Sequence, residues 1–195
     1  AVVVVGKEND AARLAESIRR GLGRVVQEVR SHGLKDATVV LSGAEHAPRL
    51  AAAAFEGAWL ASYRFIEHSE SLRKEAKKRL RNLTIFVDKE AEAAAKKTVS
   101  ESKNVLRGVD IARDLVNQPA GHMYPEKLVD AAKDIAAASG QIGLKTLSRT
   151  QAEREGFNAF LAVAKGSDVE PYVIHLTYTP KERTAETKRI FLIGK

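Results

Sequence analysis

Lys195 follows Arg189-Ile-Phe-Leu-Ile-Gly194, a run that reads as a buried strand closed by a glycine. An amine just past a strand end is well placed to reach into an active site, although position alone favours the bland reading, a solvated surface lysine. The five histidines (His32, His46, His68, His122 and His175) invite a metal reading. No two lie within five residues of each other, so they offer no local ligand pair. His175 alternates with apolar neighbours and reads as structural, and Glu67-His-Ser-Glu70 reads as a solvated turn. No Gly-x-Ser-x-Gly elbow accompanies the serines and histidines. Neither Gly6 nor Gly43 belongs to a phosphate-cradling glycine pattern, so an ADP-ribose-type module lacks the loops it would need. Asp114 and Asn117 have side chains fit for catalysis, but in context read as structural, with Asn117 ending a helix and bonding nearby backbone.

The elements that position these groups follow from periodicity. Residues 2–5 are a continuous apolar run, the pattern of a strand covered on both faces, and it starts in mid-stride without an initiator methionine. Asn9 or Asp10 can cap a helix marked by Leu14, Ile18, Leu22, Val25 and Val29, and Gly33 stops it. Ala37-Thr-Val-Val-Leu41 is a strand; a helix from about Pro48 carries Phe55, Trp59 and Tyr63, whose four-residue spacing predicts core packing. Asn82-Leu-Thr-Ile-Phe-Val87 is the next strand. Strand and helix in alternation predict an α/β layer with a mixed, mostly parallel sheet flanked by helices, and more strands upstream.

A long helical stretch then runs to Gln118, with a break anticipated near Ser100. Residues 117–122 form a loop, and Pro125 opens another helix that Gly140 ends. Ile142-Gly-Leu-Lys-Thr-Leu147 is a strand, and a short helix near 151–155 leads to the apolar run 157–163. Tyr172-Val-Ile-His-Leu-Thr-Tyr178 and Ile190-Phe-Leu-Ile193 are further strands. The expected division is an N-terminal α/β domain (1–88), a helical connection (89–118) and the start of a second α/β domain (119–195).

The 195 residues carry a formal charge of +7, no cysteine and 44% hydrophobic residues. Disulfides and thiolate metal sites are excluded, which suits a reducing cytoplasm. No apolar run reaches the ~20 residues of a membrane span, and the N-terminus has no signal-peptide pattern. Six basic residues fall in Arg73-Lys-Glu-Ala-Lys-Lys-Arg-Leu-Arg81. They read as a solvated helical face, with a DNA-binding surface as the rival.

Three segments together carry a family resemblance. Ala112-Arg-Asp-Leu-Val-Asn-Gln-Pro119, followed by Tyr124-Pro125-Glu-Lys-Leu128, resembles the Arg-Asp-Leu-x-Asn-x-Pro stretch that leads into the catalytic domain of the leucyl (cytosol) aminopeptidases. Gly156-Phe-Asn-Ala-Phe-Leu-Ala-Val-Ala-Lys-Gly-Ser167 and Glu56-Gly-Ala-Trp-Leu-Ala-Ser-Tyr-Arg-Phe65 are similar to two further family segments, in the family's order. The chain departs from the pattern at Pro119-Ala120-Gly121, where Pro-Pro-Asn is common, and at Ala164-Lys165, where Gly-Gln is common.

The resemblance implies a macro-like N-terminal domain and truncation at both ends. It implies removal of N-terminal amino acids from peptides at a site holding two divalent ions, zinc or manganese, in a cytoplasmic homohexamer; some bacterial members also bind DNA. It makes Lys195 a metal ligand through its amine, with most other ligands downstream of this chain. An ammonium cannot coordinate, so that lysine would have to be neutral, a state that burial and a neighbouring dication favour. By the same implication this chain is scaffold and inactive alone.

Overall fold

The computed structural model describes residues 10–77, 79–184 and 186–194. The predicted strand at 2–5 and Lys195 lie outside the described residues. The chain forms two compact units, Ala1–Asn117 and Gln118–Lys195.

In the first unit, Asp10 starts α1 (Ala11–Ser31) by accepting bonds from the amides of Ala12 and Arg13 at 2.7 and 3.2 Å. Two of the four amides left unpaired at a helix start are thereby satisfied. The helix stops at His32, after which Gly33 takes φ 65°, a left-handed turn that a side chain would resist. The anticipated stripe is the buried one: Ile18, Leu22 and Val29 are covered, together with Ala15 and Val26.

Strands β1 (Asp36–Val40) and β2 (Asn82–Phe86) pair in parallel, Ala37 opposite Leu83 and Val39 opposite Ile85. Between them run α2 (Ala47–Ser62) and the short α3 (Glu70–Glu75). One face of the pair, bearing Val39, Leu83 and Ile85, packs on the core, whereas Val40 and Phe86 are exposed. That core is dominated by α2, whose Leu50, Ala51, Ala53, Ala54 and Ala58 are all buried against Ile18, Leu22 and Val26 of α1. Small side chains let the two helices approach closely, most of all at Gly57, where a Cβ would sit 2.1 Å from the Arg19 carbonyl oxygen.

After a single 3-10 turn (Lys89–Ala91), α4 (Glu92–Asn117) packs along α2. The anticipated break near Ser100 does not occur. Thr98 and Ser102, residues whose hydroxyls tend to compete with helix bonds, are anchored on α2: the Thr98 hydroxyl lies 2.8 Å from the Pro48 carbonyl as well as 3.0 Å from the Ala95 carbonyl of its own helix, and Ser102 donates to Glu56 at 2.7 Å. The basic run also departs from expectation. Only Arg73 and Lys74 fall in α3, and Lys77, Arg79 and Arg81 sit in the turn and extended segment before β2.

The second unit contains α5 (Pro125–Ala137), β3 (Ile142–Leu147), α6 (Arg149–Arg154), α7 (Asn158–Ala164) and β4 (Val173–Tyr178). Strands β3 and β4 are antiparallel, Leu144 opposite Leu176 and Lys145 opposite His175, so the described sheets are one parallel and one antiparallel pair. Pro125 begins α5, as its preset φ and missing N–H favour. The Gln151 side chain accepts from the Ser148 amide at 2.9 Å to start α6. Leu147, Ala152 and Leu161 form a small core with Phe160 and Val173.

The predicted strand at residues 190–193 is a correction. Its four apolar side chains are between 77 and 97% exposed and no strand is assigned there. Strand propensity without a neighbour to take its N–H and C=O groups does not make a strand.

Candidate functional site

Lys195, the one metal ligand implied by the resemblance, lies outside the described residues. Among the described residues, no three His, Asp or Glu side chains come together in a way that could hold a metal ion. His32 closes α1, its Nδ1 3.0 Å from the Glu28 carbonyl, and His46 starts α2 in a left-handed conformation. His175 is exposed on β4, 3.3 Å from the Thr177 hydroxyl, rather than buried among apolar neighbours. These side chains do not fit a two-metal centre.

What the described residues do build is a polar seam between the last turns of α2 and α4. Trp59 donates its indole N–H to Asp110 Oδ2 at 2.8 Å. Tyr63 donates its hydroxyl to Asp114 Oδ1 at 2.7 Å and accepts from Asn117 Nδ2 at 3.0 Å. The Arg113 guanidinium stacks 3.9 Å from the Tyr63 ring centroid and donates to the Leu60 carbonyl at 3.1 Å. Burial, then donation to Asp114, raises the Tyr63 pKa and keeps the phenol a donor. Residues 110, 113, 114 and 117 share one face of α4, and 59 and 63 share one face of α2.

Two expectations are refined here. Asn117 does end α4, but its side chain bonds the Tyr63 hydroxyl rather than backbone. The aromatic series is half-buried and partly polar in role, not plain core packing. The signal that would have revealed this is a matched four-residue spacing: Trp59 and Tyr63 on one helix, Asp110 and Asp114 on the other.

A cavity of about 1080 Å³ opens beside this seam. Phe55, Trp59 and Tyr63 line it on one side, Arg73, Lys77, Arg79, Leu80, Arg81 and Leu83 on another, and Asp110 contributes from α4. Phe55 and Trp59 form a tilted ring pair with centroids 5.5 Å apart. The Oδ1 atom of Asp110 is buried and has no hydrogen-bond partner.

At the opposite end of the strand pair, Asp88 accepts from the Ser42 hydroxyl at 2.5 Å and the Gly43 amide at 2.6 Å. The loops after β1 and β2 are thus tied together where parallel α/β sheets usually leave a ligand crevice.

The sequence model described as "Cytosol aminopeptidase family, catalytic domain" matches residues 110–195, a stretch that begins at Asp110 and takes in the α4 half of the seam. A probable cytosol aminopeptidase of Syntrophotalea carbinolica is 33% identical over all of this chain, which covers 39% of that protein. The chain belongs to the cytosol aminopeptidase family. A second family member, a probable cytosol aminopeptidase of Persephonella marina, is 36% identical over 75% of the chain and is covered to 28%. A mutant tomato leucine aminopeptidase shares the fold with a TM-score of 0.72 and 25% identity, over 86% of this chain and 34% of its own. The chain therefore spans well under half the length of the family members it matches.

In this family member the acid stability of the first unit rests on three carboxylates held below their usual range. Asp88 is lowered by the Ser42 hydroxyl and the Gly43 amide, Glu16 by Arg20 and Arg19, and Glu92 by Lys96. A folded-state pKa below the unfolded one stabilises above the unfolded value, and the contribution is lost as pH falls through the folded value. Thermal midpoints should accordingly hold above the ordinary carboxylate range and decline as the pH falls below it. Asp88→Asn should lower the midpoint at neutral pH and make the acid decline shallower; an unchanged acid profile would show that the loop tie plays no part.

Proposed function

We infer that the protein to which this chain contributes is a leucyl-type aminopeptidase that releases N-terminal amino acids from peptides at a site holding two divalent ions, zinc or manganese. The observation that carries this reading is the match of residues 110–195 to the family's catalytic domain, continued by a whole-chain alignment to a probable cytosol aminopeptidase. Lys195 serves as one metal ligand through its neutral amine, with the remaining ligands supplied from outside this chain. Residues 1–88 act as an N-terminal domain, 89–118 as the helical connection and 119–195 as the start of the catalytic domain. The seam of Trp59, Tyr63, Asp110, Arg113, Asp114 and Asn117 then fixes the connecting helix against the N-terminal domain before the chain enters the catalytic one. A cytoplasmic homohexamer is the assembly that fits this reading. Among the described residues no helix is long and apolar enough to cross a membrane. Nothing in the comparisons favours the DNA-binding alternative.

The test compares two forms. The full-length protein should hydrolyse leucyl-p-nitroanilide, lose activity to a chelator, regain it with manganese or zinc, and lose it again on Lys195→Met. The 195-residue chain should release no product and take up no stoichiometric zinc in calorimetry. Full-length protein without peptidase activity would overturn the function, and zinc uptake by the short chain would overturn its role as scaffold.

A further inference from the structure

We propose that the cavity beside the α2–α4 seam binds a purine nucleoside phosphate. This goes beyond the peptidase reading and does not rest on it, because every group involved belongs to the first unit and none to a metal site.

Three features converge. The first is charge. Lys77, Arg79 and Arg81 line the cavity, and none of them pairs with a carboxylate among the described residues. Arg73, also at the cavity, is already engaged with the Ile66 and Glu67 carbonyls, so it frames the loop while the other three remain open to an anion. Unpaired cations around a concavity favour a phosphate, which takes several charge-assisted bonds at once. The second is aromatic surface: the Phe55 and Trp59 rings, tilted against each other, both line the cavity, and a single ring face is enough for an aromatic base to stack on. Arg113 already covers the Tyr63 ring, leaving Trp59 as the larger stacking surface.

The third feature selects among flat anions. Asp110 presents one oxygen to Trp59 and leaves the other buried without a donor, a costly condition for a carboxylate. Asp110 itself lines the cavity, so a ligand seated there is the nearest source of a donor for Oδ1. There the N–H groups on a purine edge, N6 of adenine or N1 and N2 of guanine, supply the missing donor. An aliphatic dicarboxylate satisfies the cations but neither the rings nor Asp110. The cavity size suits a nucleotide-sized ligand, at the top of the range of small-molecule sites. The phosphate is held by side chains here, which removes the need for the glycine-rich loops that this chain lacks.

Trp59 is the single tryptophan of the chain, so its fluorescence reports on this cavity alone. Titrating the 195-residue chain with GMP and AMP at low salt should give a saturable quench, with matching heats in calorimetry. Guanosine, lacking the phosphate, should bind more weakly by roughly tenfold, and so should GMP to the Arg79→Gln, Arg81→Gln double variant, whose substituted positions are exposed. Asp110→Asn, checked for folding by circular dichroism, should weaken GMP by roughly tenfold while leaving weak competition by pyrophosphate unchanged. The proposal is overturned by the absence of saturable quench and heat with both nucleotides. It is overturned equally if pyrophosphate or oligo(dT) binds as tightly as GMP, which would make the cavity a general anion surface, or if the double arginine variant binds GMP unchanged.

Discussion

Gly57→Ala lowers the stability of the first unit, while the same substitution at Gly108 raises it. In α2, a Cβ at Gly57 would lie 2.1 Å from the Arg19 carbonyl oxygen, 2.8 Å from its carbon and 2.9 Å from its Cα. All three are backbone atoms of α1, so no side-chain rotation relieves the overlap and the helices must separate. Overpacking of this kind costs about 3 kcal/mol, against a gain of about 1 kcal/mol from replacing glycine inside a helix. The net loss is about 2 kcal/mol, and separation also stretches the Arg19–Glu56 bonds of 2.9 and 2.6 Å that join the same two helices. At Gly108 in α4, a Cβ meets nothing within 4 Å, so the helix gain of about 1 kcal/mol stands alone. Urea unfolding of both variants checks the pair. A Gly57→Ala protein as stable as the parent would mean that α1 and α2 are not held at this distance.

Leu50→Ala has the other large effect. Leu50 is 2% exposed and among the largest fully buried side chains of the chain. Its buried companions on α2 are Ala51, Ala53, Ala54 and Ala58, which have no longer side chain to swing into the space. The vacated volume therefore persists, and the cost is about 3–4 kcal/mol, in the upper part of the usual range for such truncations. Val116→Ala on α4 removes a residue that is 83% exposed and should change stability by less than about 0.5 kcal/mol. Equal effects from the two substitutions in chemical unfolding would refute the placement of the core at α2.

The contrast between what periodicity predicts and what the chain adopts follows the range of the forces involved. Helix α1 is legible because Leu14, Ile18, Leu22, Val25 and Val29 encode one face and Asp10 and Gly33 mark its ends, all within a few turns. Strands β1 to β4 are legible for the same reason, each a short apolar run between turn residues. The continuity of α4 is not, because Thr98 and Ser102 find their partners on α2, about fifty residues away in sequence. Residues 190–193 carry strand chemistry but no described partner, so their propensity has nothing to act on.

The candidate cavity was hidden for a related reason. The spacing of Phe55, Trp59 and Tyr63 announces a common face without saying what stands opposite. The charged run from Arg73 to Arg81 suggests a helix, yet α3 ends at Glu75 and frees the later cations to line the cavity. The family resemblance was legible from contiguous motifs, and the structure adds what those motifs hold: Arg113, Asp114 and Asn117 all meet Tyr63.

Helix α2 is lopsided in volume, with alanines and Gly57 toward α1 and large rings toward the cavity. Sequence drift must respect that asymmetry. On the side of α1, growth by a single methyl group at Gly57 pushes a neighbouring backbone aside. On the other side Phe55 borders open space and can change size or polarity without moving α1, while Trp59 and Tyr63 are tied to α4 by their hydrogen bonds. A lineage could therefore retune what this cavity accepts while keeping its scaffold intact, one flank of a helix conserving architecture as the other explores chemistry.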